Sequence, residues 1–174
     1  FSNMTRKPYQ SRDAFTLLEL LVTVLLMGII SAVLLPVISS ASEAYSITQD
    51  VRARSEHIAH ALDRAARIIR QAPIGTDDEG LGVVNASVST LELSDGTGFE
   101  LNGSTLEMLV PGRANTTLCQ DVDDLVIQYI AEDGVTNTLA SPVNAHRIVV
   151  TITSGDLTMS VVAHPRVWIG QGAS

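Results

Sequence analysis

The sequence predicts an α+β protein in which one long N-terminal helix, with a transmembrane half and an amphipathic half, packs on an antiparallel β-sheet head. Three observations predict it. Residues 15–38 are an apolar run with a single charge, Glu19. Residues 39–72 place apolar side chains at three- and four-residue steps. From about residue 88, short β-rich runs alternate with Gly, Asn and Asp. The expected organisation is a leader over 1–14, a transmembrane helix over 15–38, an amphipathic stalk helix over 39–72 and a β-rich head over 73–174. Met4 reads as the natural start, with Phe1, Ser2 and Asn3 an upstream remnant.

The apolar run comes first. At 1.5 Å rise per residue, its 24 residues give roughly 36 Å of helix, enough to cross a hydrocarbon core of about 30 Å. It is too long for the apolar region of a cleaved secretory signal, and Pro36-Val37-Ile38-Ser39 makes a poor signal-peptidase site. Arg6, Lys7 and Arg12 precede the run, whereas Glu43 and Asp50 follow it. The positive-inside rule then puts the N-terminus in the cytoplasm and the remaining chain across the membrane. Glu19 is the anomaly, because an acid within a membrane helix costs about 2.5–3.5 kcal/mol at the centre on insertion scales, and somewhat less near the edge where Glu19 sits. It either snorkels to the interface or waits for a positive partner.

The stalk follows without a break. Thr48, Val51, Ser55, Ile58, Leu62, Ala65 and Ile69 form one stripe. Asp50 with Arg54 and Asp63 with Arg67 are acid-then-base pairs at i, i+4 on the other side. Pro73 and Gly75 end a helix running from about Phe15 to Ala72. The segment "GTDDEGLG" is a loop. The runs "STLELSD", "GFELNG", "STLEMLVPG", "DLVIQYIAEDG", "HRIVVTITSGD" and "LTMSVVAHPRVWI" read as strands of one antiparallel sheet, with "EDG" and "SGD" as hairpin turns. The helix stripe would cover the inner face of that sheet.

Charge bounds the partners. The net charge is −8. Residues 43–72 carry five arginines against four acids, and residues 73–174 carry three arginines against thirteen acids. So acidic a head argues against direct nucleic-acid binding, which needs a concentrated basic face. The one cysteine, Cys119, rules out an intramolecular disulfide and reads as packed core.

The segment Ala14-Phe15-Thr16-Leu17-Leu18-Glu19-Leu20-Leu21 resembles the processing and methylation motif of type IV prepilins and type II secretion pseudopilins. In that family a basic leader is removed before a Phe, the new amino group is N-methylated, and a Glu four residues on stays within the apolar helix. Pro36, twenty-one residues after Phe15, also matches the family. The resemblance implies cleavage by a prepilin peptidase between Ala14 and Phe15, N-methylation of Phe15, and assembly through Glu19 and Pro36 with other pilin or pseudopilin subunits. Ala14 departs from the usual Gly before the cut, and Asp13 is acidic. The order of runs over residues 88–169 more loosely resembles J-type minor pseudopilins and W-type minor pilins. The implied place is a bacterial inner membrane, crossed once, with a periplasmic or extracellular head.

That resemblance gives Glu19 a partner. Cutting after Ala14 creates a cation at Phe15, which a neighbouring subunit's Glu19 could meet in a staggered array; an acid unfavourable alone would then favour correct register. Gly28, Ser31 and Ala32 offer small surfaces for close helix approach.

Chemistry elsewhere is sparse. His57 and His60 share a helical flank with no third ligand beside them, and read as surface residues. Asp121, Asp123 and Asp124 could hold Ca²⁺, the alternating spacing of Asp121 and Asp123 putting both on one face, though a solvated acidic edge is the simpler reading. Asn85, Asn102 and Asn115 head Asn-x-Ser/Thr triplets, which in a bacterial protein carry no weight. Trp168 reads as a core cap. No Ser-His-Asp, HExxH or phosphate-loop pattern is present, so the expectation is a non-enzymatic subunit without cofactor. The rival readings are a single-pass anchored binding or sensor domain, a minor pilin of a DNA-uptake machine and an extracytoplasmic enzyme.

Overall fold

The computed structural model describes residues 16–76 and 79–168. It divides into two compact units, Phe1–Gln49 and Asp50–Ser174. One helix, α1 (Leu17–Arg70, 54 residues), belongs to both. Eight strands follow it: β1 (Val83–Ala86), β2 (Thr90–Leu93), β3 (Gly98–Asn102), β4 (Thr105–Leu109), β5 (Thr116–Cys119), β6 (Asp124–Ile130), β7 (Arg147–Ser154) and β8 (Leu157–Ala163). The α+β architecture, a long helix packed on antiparallel sheet, is the one the sequence predicts.

The first unit is the early part of α1. Thr16 caps it, its Oγ1 accepting the N–H of Glu19 at 3.3 Å, as a threonine N-cap does. Pro36 lies inside the helix. It has no N–H to offer the carbonyl of Ala32, yet the helix runs on, and Ser40 Oγ donates to the Pro36 carbonyl at 2.9 Å.

In the second unit the helix becomes half-buried. Ile58, Ala61, Leu62, Ala65, Ala66, Ile68 and Ile69 are buried, recurring at three- and four-residue steps as one face of an α-helix must. The stripe read from sequence holds from Ser55 downward, but Thr48 and Val51 are exposed. Arg67 pairs with Asp63 at 2.8 Å on the open face.

The strands form two sheets, not one: a five-stranded meander in the order β1-β2-β3-β4-β5 and a three-stranded meander β6-β7-β8. Between them Asp121 takes a positive φ of 57° in the turn that follows β5. The edge of β6 is closed by the β1–β2 loop, the Ile127 N–H donating to the Val88 carbonyl at 2.7 Å. Two strands had no sequence counterpart, β1 and β5, each only four residues long. The run "LTMSVVAHPRVWI" also divides: β8 ends at Ala163, Pro165 cannot donate to a ladder, and Arg166–Trp168 is a short 3₁₀ turn. "SGD" makes the two-residue β7–β8 turn, Gly155 supplying φ 59°. "EDG" turns the chain only as far as an isolated Ile130–Asn137 bridge, so residues 131–146 separate β6 from β7.

Both sheets send alternate residues inward. Leu91, Phe99, Leu106 and Cys119 come from the first, and Leu125, Ile127, Tyr129, Ile148, Val150 and Ile152 from the second. With the helix residues Ile58 to Ile69 they make one core. Burying each such aliphatic or aromatic side chain contributes about 1.5–3 kcal/mol. Gly98 is required by close approach, since a side chain there would strike the Leu91 carbonyl of β2.

Candidate assembly segment and head sites

The predicted site divides across the two units. Ala14 and Phe15, the expected cleavage and methylation positions, lie outside the described residues. Glu19 lies three residues after the N-cap Thr16, so Thr16-Leu17-Leu18-Glu19 has capping-box spacing. Its carboxylate is near the positive end of the helix dipole, a local reason for an acid at this position. That carboxylate makes no hydrogen bond or ion pair with the described residues.

Around it the helix offers mainly apolar surface. Leu17, Leu18, Val24, Met27, Leu35 and Ile38 are each more than 60% exposed within the chain. So long a row of bare Leu, Ile and Val is unfavourable in water and calls for lipid or neighbouring helices. α1 is long and apolar enough to cross a membrane. A side chain added at Gly28 would meet open space, so this chain's own packing does not demand a glycine there.

The head's titratable groups serve the fold. Ser154, a buried polar residue of the core, donates its hydroxyl to the Asp121 carbonyl at 2.5 Å. Asp123 Oδ2 accepts the N–H of Gly155 at 2.6 Å. These contacts hold the residue 121–123 loop to the β7–β8 turn. Asp124 is already in β6, opposite Thr153. Asp121 is in a left-handed turn rather than a strand, so the alternation that would put it on one face with Asp123 does not apply. Among the described residues no three His, Cys, Asp or Glu side chains come together to hold a metal ion.

Cys119 lines a groove of about 470 Å³ with Asp50, Arg54, His57 and Asp121. Burial, then the Asp121 charge, pushes its thiol up from the ordinary 9.0. A protonated thiol is a poor nucleophile, and it instead donates weakly to the Gln120 carbonyl at 3.4 Å. His57 and His60 are exposed, as the sequence implies.

Two arrangements went unread in the sequence. The Thr16–Glu19 cap was legible from its Thr-x-x-Glu spacing. The other unites Trp168 with His146: their rings stack at 3.8 Å between centroids, 13° from parallel, and Trp168 Nε1 donates to the Ala145 carbonyl at 2.9 Å. Twenty-two residues separate them in sequence, and no local pattern reports that contact.

Comparison with known proteins points to the same N-terminal segment. The family model described as the prokaryotic N-terminal methylation motif matches residues 10–35, which contain Ala14, Phe15, Glu19 and the apolar first part of α1. The match covers this segment alone and supports pilin-type processing and assembly through it. No curated protein matches the chain.

Proposed function

We propose that this chain is a minor pseudopilin or minor pilin, a structural subunit of a type II secretion pseudopilus or type IV pilus. The observation that carries the reading is the coincidence of the methylation motif over 10–35 with a helix whose apolar side chains are exposed on every side. Prepilin peptidase cuts between Ala14 and Phe15, and Phe15 is N-methylated. The helix then leaves the inner membrane for a filament, where Glu19 pairs with the Phe15 amine of a neighbouring subunit. That pairing offsets the carboxylate's desolvation only in the docked register. Pro36 loosens the helix where it must fit among other subunits. Residues 39–72 serve as the stalk and 73–174 as the head that meets other minor subunits, with no direct contact to nucleic acid.

Ala14 in place of Gly supports a second reading, an uncut single-pass anchor carrying a binding or sensor domain. Co-purification of subunits separates the two. A pilin-type subunit assembles with its partners in cells containing the peptidase, and Glu19→Ala abolishes this while leaving the head folded. A bare anchor is indifferent to both changes.

A further inference from the structure

Residues 73–174 hold thirteen acids and only five basic side chains: Arg113, Arg147, Arg166, His146 and His164. The fold gathers four of those five at one end of the three-stranded sheet. Arg147 opens β7 opposite Ile130, and the next residue, Ile148, pairs with Ala163 at the end of β8. His146 precedes that point, His164 follows it, and Arg166 begins the short helix that ends in Trp168. Between them is a concavity of about 250 Å³ lined by Glu132, His146, Arg147, His164, Pro165 and Trp168.

The walls are fixed and the donors are free. Trp168 is tied to the Ala145 carbonyl and stacked on His146, so both rings are held in place. The Arg147 guanidinium lies near Gly134, in the turn between Ala131 and Thr136. Of the two acids in that turn, Asp133 has its carboxylate taken up by Thr136 and Val135, and Glu132 lines the concavity without an ion pair to Arg147 among the described residues. Among the described residues Arg147 has neither an ion pair nor a side-chain hydrogen bond. A guanidinium fork with unspent N–H donors matches a carboxylate in two parallel bonds.

We propose that this concavity binds a carboxylate side chain from an acidic peptide segment of a partner protein. Arg147 is the bidentate anchor, and the His146–Trp168 stack is the flat wall beside it. The size favours one side chain, because pockets for free small molecules usually exceed about 300 Å³. A short peptide is favoured over nucleic acid, because a flexible segment can present one carboxylate to Arg147, whereas a duplex would bring many further phosphates against the acidic head.

Trp168 is the single tryptophan, so its fluorescence reports on the site directly. The full chain in detergent micelles is titrated with a capped triglutamate peptide, a capped triglutamine peptide and inorganic phosphate. Triglutamate is expected to give a saturable change that triglutamine does not. Arg147→Gln weakens it at least tenfold, Arg147→Lys weakens it several-fold by removing the fork, and Arg113→Gln leaves it unchanged. An equal response to triglutamine, displacement by phosphate at concentrations equal to the peptide, or undiminished binding by Arg147→Gln overturns the proposal. Should Arg147→Gln fail to fold, full binding by Arg147→Lys overturns the bidentate role by itself.

Discussion

The Tyr129 hydroxyl donates to the Thr90 carbonyl at 3.1 Å, joining β6 of the three-stranded sheet to β2 of the five-stranded one. The same hydroxyl reaches the Ser87 carbonyl at 3.3 Å, and the side chain is fully buried. This contact and the Ile127–Val88 bond join the two meanders across the core they share. Tyr129→Phe keeps the ring and is expected to cost about 1–2 kcal/mol in chemical denaturation, the range for a buried hydrogen bond whose acceptors lose their donor.

Burial also pushes the Tyr129 phenol well above its ordinary 10.0. The sign follows from linkage. Below pH 10 both states keep the proton and nothing changes. Above it the unfolded chain releases a proton that the folded chain retains, so stability falls by about 1.4 kcal/mol per pH unit. Cys119, raised from 9.0, adds a loss of the same sign that starts about a unit lower. Denaturation followed from pH 8 to 11 is expected to show both losses in the native sequence, and only the Cys119 part in Tyr129→Phe.

Glu100 on β3 and Glu107 on β4 are directly opposite each other, and the Asn115 amide donates to one carboxylate oxygen of each at 3.2 Å. Like charges directly opposite in a sheet are destabilising by some tenths of a kcal/mol. Glu107→Gln is expected to raise stability by about 0.3–1 kcal/mol at low salt, an advantage that shrinks as salt screens the pair. A salt series of melting curves on the two proteins checks it.

Where α1 starts to pack is equally testable. Ile58 is fully buried and Val51 is 53% exposed, although both belong to the stripe legible in sequence. Ile58→Ala is expected to cost about 2–4 kcal/mol, with Val51→Ala within about 0.5 kcal/mol of the native chain. Equal costs for the two would mean that the core extends further up the helix.

The sequence made the long helix legible because a 24-residue apolar run and a continuing 3.6-residue stripe are strong, local and periodic. The long strands β6, β7 and β8 were legible for the same reason, β7 alternating buried and half-buried residues along its whole length. β1 and β5 were not. Four residues hold too few alternations to rise above loop texture, and β5 contains only two apolar residues, Leu118 and Cys119. The split into two sheets falls at the turn around Asp121, a residue type common in ordinary turns, so periodicity could not report it. The acids around it read as a solvated edge with calcium as a weaker alternative, because sequence gives spacing without direction. In the fold, Asp123 faces a backbone N–H of the hairpin. At the N-terminus the motif was readable because it is local in sequence, and the family match falls on the same segment, residues 10–35.

The proposed function rests on the bond between Ala14 and Phe15. The most direct test is the intact mass of the chain isolated from its own membrane, with and without the prepilin peptidase. The account predicts a species beginning at N-methylated Phe15 that is present only with the peptidase. A chain that keeps its leader in both samples would contradict it and leave the single-pass anchor as the better description.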